Sequence, residues 1–199
     1  MRSLAQVCQE ADLFFMHKSP VHQAARALSA ELSKLDIPFA VAGALAANFH
    51  GHKRTTADVD VLLRPEGLEK FKKNRLGLGY VELFPGSKGM RNTEFNVKID
   101  VLLSGEYPGD GKPKPVVFPD PVEAGEPDAD GILFLTLPVL LQMKLASGMT
   151  AAHRPRDLDD VIQLIRANQL AIEYADRLPP YVREKYADLW TLAQVDEDY

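Results

Sequence analysis

The sequence predicts an α+β protein in which a mixed β-sheet is flanked by helices and followed by a C-terminal helical part. Three observations carry this prediction. Two runs, Asp58-Val-Asp-Val-Leu-Leu63 and Val97-Lys-Ile-Asp-Val-Leu-Leu103, set polar and apolar residues in the alternation of a strand. Near both ends of the chain, apolar residues recur at the three- and four-residue spacing of a helix. Glycine and proline clusters separate these segments. The expected division is residues 1–135 as an α/β core with N-terminal helices and residues 136–199 as a helical segment packed on it.

Taken in order, residues 3–35 have helical spacing with a break at Ser19-Pro20, where serine can cap and proline can take the first helical position. In the second of these helices Ala25, Leu28, Leu32 and Leu35 share a face. Residues 37–42 read as the first strand, Gly43 as a tight turn and residues 44–49 as a short helix. After the Asp58 strand, Pro65 opens a helix over 66–74, ended by Gly77 and Gly79. Strands at 80–84 and 90–95, joined by Pro85-Gly-Ser-Lys-Gly89, precede the strand carrying Asp100. Residues 104–131, rich in Pro, Gly, Asp and Glu, read as a flap or wrap tacked down by short strands at 116–118 and 132–134. Thr136-Leu-Pro138 reads as a cap and helix start, with Leu137, Leu140, Leu141 and Leu145 as the buried stripe. Further helices are expected at 156–168, 173–178 and 180–194, where Tyr174, Tyr181, Tyr186 and Trp190 read as packing residues.

Composition narrows the function classes. A net charge of −5 on 199 residues argues against a protein that coats long nucleic acid. Lys70, Lys72, Lys73, Arg75, Lys88, Arg91 and Lys98 nevertheless cluster near the acidic strands, either as a solvated face or as a rim for a polyanionic substrate. The single cysteine, Cys8, permits no intrachain disulfide, suits a reducing compartment and reads as a buried or half-buried thiol. The first residues lack the apolar core of a signal peptide, and no stretch approaches the ~20 apolar residues of a membrane span. The chain is therefore expected to be soluble and cytoplasmic, with no membrane partner.

The chemistry is concentrated in three carboxylates and a glycine turn. Asp58 and Asp60, two residues apart on a strand, leave the same face; Asp100 sits in a second run of the same kind. If those strands are neighbours, the carboxylates converge, and their repulsion needs cations or protons to offset it. Oxygen-only ligands suit Mg²⁺ or Mn²⁺ rather than zinc. His50, His52 and His153 have no partners at zinc-ligand spacing. The turn at Gly43-Ala44 opens a helix whose free N–H groups could receive an anion.

With the Arg54-Thr-Thr approach to Asp58, residues 37–103 resemble the nucleotidyltransferase superfamily with a DNA polymerase beta-like fold, in particular its small bacterial members of the antibiotic and toxin type. The turn departs from that pattern, since the family usually has Gly-Gly or Gly-Ser where this chain has Gly43-Ala44. The resemblance implies a nucleotidyltransferase core that moves a nucleoside monophosphate from a nucleoside triphosphate to an acceptor hydroxyl, releasing pyrophosphate. Asp58, Asp60 and Asp100 would be the catalytic residues and ligands of two Mg²⁺ (or Mn²⁺) ions, with Asp100 also able to take the acceptor's proton. Gly43 and Ala44 would hold phosphates by backbone N–H groups, while Arg54 or Lys144 balances charge on the leaving group. Lys144 and Arg156-Asp-Leu-Asp-Asp160 are similar to a helix lysine and an Arg-Asp-x-x-Asp segment of small members, where Arg156 and Asp157 are expected to form an internal ion pair or cap. The acceptor, whether small molecule, RNA end or protein, is left open. The alternative is a noncatalytic nucleotidyltransferase-like binding or regulatory protein, such as one member of a toxin–antitoxin pair.

Overall fold

The structure, a computed structural model, describes residues 3–152 and 154–195; His153 therefore lies outside the described residues. Helices α1 (Leu4–Phe15) and α2 (Pro20–Lys34) lead into strand β1 (Phe39–Val41), helix α3 (Gly43–Phe49), strand β2 (Asp58–Leu63) and helix α4 (Pro65–Arg75). Strands β3 (Tyr80–Glu82), β4 (Met90–Asn92) and β5 (Val97–Leu103) follow, then helix α5 (Pro121–Ala124) and the strands β6 (Gly125–Pro127) and β7 (Leu133–Leu135). The chain continues through α6 (Leu137–Thr150), α7 (Pro155–Ala167), a 3₁₀ turn (Ile172–Arg177) and α8 (Pro180–Ala193). This is an α+β architecture around one seven-stranded mixed sheet in the order β3-β4-β5-β2-β1-β7-β6. β2 runs parallel to β5 and β1 parallel to β7, and the other neighbours are antiparallel.

Strand alternation sorts the core into two layers. Val59, Val61 and Leu63 of β2 pack with Ile99 and Val101 of β5 against Ala25, Leu28 and Leu32 of α2 and Leu68 and Phe71 of α4. Leu62, pointing the other way, joins Leu140, Leu141 and Leu145 of α6, Val161 and Leu164 of α7 and Val182 and Tyr186 of α8. The C-terminal helices thus cover the sheet face from which Asp58 and Asp60 project. The buried stripe read for α6 is present at Leu140, Leu141 and Leu145, with Leu137 partly covered. Trp190 and Tyr186 are packing residues, each donating to a backbone carbonyl, Leu170 O at 2.8 Å and Ala171 O at 3.0 Å.

Several local expectations differ. The Ser19 hydroxyl makes no cap to the backbone and bonds His22 Nδ1 at 2.8 Å, and Thr136 makes no side-chain cap. Residues 116–118 form no strand; Gly105 N donates to Phe118 O and Phe118 N to Glu106 O, both at 2.8 Å, and Val116 is buried. β6 arises in a segment whose proline and glutamate disfavour strands, because pairing with β7 satisfies its backbone. Cys8 is exposed, contrary to the buried or half-buried thiol expected, since it lies on the uncovered side of α1. Among the described residues no helix is long and apolar enough to cross a membrane.

Leu62 and Leu63 are both fully buried but on opposite faces of the sheet. Leu62→Ala and Leu63→Ala are each expected to cost about 2–5 kcal/mol. Urea titration checks this, with the midpoint falling and the slope unchanged in both variants.

Candidate functional site

The parallel pairing of β2 with β5 sets Asp60 directly opposite Asp100, and Asp58 opposite Lys98. Val59, Val61, Ile99 and Val101 anchor the strands in the core behind, so the three carboxylates and Lys98 emerge together on the other face. Two of the carboxylates have donors. Lys98 Nζ donates to Asp100 Oδ2 at 2.6 Å, and the Thr56 hydroxyl donates to Asp58 Oδ1 at 2.5 Å. Asp60 has none among the described residues. Burial, and then the neighbouring charges of Asp58 and Asp100, push its carboxyl up to about 6; Lys144 and Arg154 pull the other way.

Gly43 meets this carboxylate just beyond the end of β1. It is the first residue of α3 and has φ +60°, and a Cβ there would stand 1.8 Å from Asp60 Oδ2. Glycine is required both by the left-handed backbone and by the approach of Asp60. Together they border a cleft of about 570 Å³, its open mouth included, whose wall also includes Ala44, Arg54, Lys144, Arg154 and Asp157.

The cations of that cleft are organised by a residue deeper in the protein. Asp160 of α7 is fully buried, and Lys144 Nζ of α6 makes a short contact to its Oδ2. Arg54 Nη2 donates to the same oxygen at 3.0 Å, and its Nε lies 2.8 Å from Oδ1 without hydrogen-bond alignment. His52 Nε2 donates to Oδ1 at 3.2 Å. Burial alone would raise the Asp160 carboxyl, but the charges and hydrogen bonds of Lys144 and Arg54 outweigh it and hold it below the usual range. Asp157, one turn earlier, sits 3.3 Å from Lys144 Nζ and accepts from Ser147 Oγ at 2.6 Å.

The structure therefore brings together Gly43, Ala44, Arg54, Asp60 and Lys144 around one cleft, with Asp58 and Asp100 beside Asp60 on the sheet. Among the described residues no group of three or more His, Cys, Asp or Glu side chains is placed to hold a metal ion as it stands, and Lys98 and Thr56 engage the two carboxylates that flank Asp60. Asp157 has the internal ion pair expected of it; Arg156 is exposed and has no partner among the described residues. Four of the seven residues of the basic cluster are paired in place, Lys72 with Glu82, Arg75 with Glu31, Lys88 with Glu106 and Lys98 with Asp100. His50 turns away from the cleft and donates to Leu135 O at 2.7 Å. Asp160 is the last residue of the Arg156-Asp-Leu-Asp-Asp160 segment, but the sequence alone gives it no role of its own, and Arg154 is not among the candidate site residues read from it. The available signal for Asp160 was its three-residue spacing from Asp157, which puts both on the α7 face toward α6. No family model matches the chain, and no curated protein matches it.

Asp160→Ala leaves Lys144 and Arg54 with an uncompensated burial and is expected to cost about 3–5 kcal/mol. Because the Asp160 carboxyl is held low, its stabilisation is present above pH ~4 and is lost as pH falls through its folded-state value. Denaturant titrations of wild type and variant should differ at pH 7 and converge in strong acid. Asp60 has the opposite sign: with its carboxyl raised to about 6, ionisation removes stability as pH rises from ~4 to that value. Asp60→Asn should accordingly stabilise the protein, in chelator, by about 1–3 kcal/mol at pH 7 and leave it unchanged near pH 4. Thermal unfolding across that range checks it.

Proposed function

We propose that the protein is a nucleotidyltransferase that moves a nucleoside monophosphate from a nucleoside triphosphate to an acceptor hydroxyl, with the donor nucleotide in the Gly43–Asp60–Lys144 cleft. One observation carries the reading: Asp60 faces a glycine turn with no donor, between two further carboxylates, at a fully formed cleft. An unpaired acidic group so placed is unfavourable in the free protein and favourable once a cation arrives. The donor set is oxygen-only and fits Mg²⁺ or Mn²⁺, for which Asp58, Asp60 and Asp100 are the ligands; Lys98, 43 % exposed, can leave Asp100 for solvent. Bound there, the ions would neutralise the triphosphate and activate the attacking hydroxyl.

The chain's own groups do the rest. Gly43 and Ala44 line the cleft at the start of α3, where their N–H groups lack intrahelical acceptors and can bind phosphate oxygens without the hydroxyl that Ala44 lacks. Lys144 and Arg54, fixed by Asp160, supply a positive wall toward the leaving pyrophosphate. The acceptor oxygen bonds to the α-phosphorus as the bond to the bridging oxygen of pyrophosphate breaks, and the acceptor's proton passes to Asp100. Small molecules, RNA ends and proteins are the acceptor classes to screen, and a cytoplasmic setting suits the single cysteine.

A second reading draws on the Lys98–Asp100 pair. A carboxylate neutralised by its own strand neighbour suits a noncatalytic nucleotidyltransferase-like binding or regulatory protein, such as a toxin–antitoxin partner. Calorimetry and a transfer assay separate the two. Mg²⁺ or Mn²⁺ with a nucleoside triphosphate is expected to bind wild type and to lose at least about tenfold in affinity in Asp58→Asn/Asp60→Asn. Asp100→Asn should keep triphosphate binding and lose transfer of radiolabelled nucleotide to an acceptor. Equal binding by wild type and double variant defeats the reading, and binding without transfer to any acceptor favours the regulatory one.

A further inference from the structure

We infer that Arg154 is the residue that grips the outer phosphates of the donor, closing on a triphosphate tail from the junction of two clefts. The inference rests on the donor-site reading and changes which cation does the binding. Among the described residues three cations border the cleft: Arg54, Lys144 and Arg154. The first two are committed to Asp160. Drawing either toward a ligand would leave a fully buried carboxylate short of its counter-charge, which is strongly unfavourable.

Arg154 differs in every respect that matters. Its side chain is 52 % exposed, and its contact among the described residues is a loose one, Nη1 to Asp157 Oδ2 at 3.9 Å. Asp157 does not depend on it, having Ser147 and Lys144 as nearer partners. The backbone, by contrast, is held: Arg154 N donates to Ala151 O at 2.8 Å, and its carbonyl accepts from Asp157 N at 3.1 Å at the start of α7. A fixed backbone with an uncommitted guanidinium is an arm that can change partner without unfolding anything.

Its reach covers the right places. Arg154 lines the Gly43–Asp60–Lys144 cleft and also an adjoining one of about 920 Å³, mouth included, walled by Lys88, Glu106 and Tyr107. Its positive charge is already felt at Asp60. A planar guanidinium makes paired N–H contacts to phosphate oxygens, which an ammonium cannot reproduce. The ligand feature recognised is thus the polyphosphate itself, independent of the base.

Inorganic tripolyphosphate, ATP and AMP, each with Mg²⁺, are the probes for calorimetry on the full chain. Arg154→Ala is expected to lose about tenfold or more for tripolyphosphate and ATP, as for a charge-assisted hydrogen-bond pair, and far less for AMP. Arg154→Lys should recover part of the loss, and Arg156→Ala, which removes the same charge two residues away, should bind like wild type. Circular dichroism should show all three variants folded. Wild-type affinity in Arg154→Ala, with wild type binding ATP, overturns this inference alone; an equal loss in Arg156→Ala also overturns it, by reducing the effect to general charge. If wild type binds neither ATP nor tripolyphosphate, the donor-site reading falls with it.

Discussion

The structure depends on the burial of one carboxylate. Asp160 has no solvent exposure, a position tenable for a charge only if counter-charges come with it. They come from Lys144 on α6 and from Arg54 and His52 in the segment leading to β2. The cluster therefore fixes the register of α7 on α6 and pins the approach to the Asp58 strand. Asn48 extends the tie to α3, donating to Arg54 O at 2.8 Å and accepting from Arg54 N at 3.0 Å. Four parts of the chain, three of which also meet in the apolar layer around Leu141 and Leu164, are tied together by this one set of charges.

Asp60 is the counterpart. The same fold that compensates Asp160 from three directions leaves Asp60 without a donor, against a glycine and between Asp58 and Asp100. Asp60 is half-buried, and its carboxylate is left to the cleft. The contrast between the two aspartates distinguishes the two ends of the cleft better than either residue does alone. It also explains why Gly43 is fixed by sterics as well as by backbone angle: the space a side chain would fill is occupied by the carboxylate.

Much of the architecture was legible because it is local. β2 falls on the six residues whose alternation announces it, and β5 on the seven of Val97–Leu103. The α2 stripe of Ala25, Leu28 and Leu32 is buried as its spacing requires. What could not be read is set by partners distant in sequence. β6 has poor strand residues and exists because β7 pairs with it; residues 116–118 have good ones but are tied by single bonds to Gly105 and Glu106. In the site, same-face spacing named Asp58, Asp60 and Asp100, yet nothing in a strand pattern tells that Lys98 and Thr56 would engage two of them. Lys144 was legible as a cation, but its partner lies 16 residues on. Arg154 belongs to no pattern at all, and only the junction of two clefts gives it meaning.

The parallel pairing of β2 with β5 has a consequence for how the protein comes into being. Parallel neighbours cannot be joined by a tight turn, and here the intervening chain makes α4, β3 and β4 before returning. The walls of the cleft then wait for α6 and α7, far later in the sequence. Such non-local assembly is slow relative to helix formation, and during synthesis the N-terminal elements leave the ribosome first. A nascent chain thus has Asp58, Asp60 and Asp100 in hand while it still lacks Lys144, Arg154 and Asp160. The cleft is therefore complete only when the last helices dock, so the order of synthesis makes its closing wall the last part to arrive.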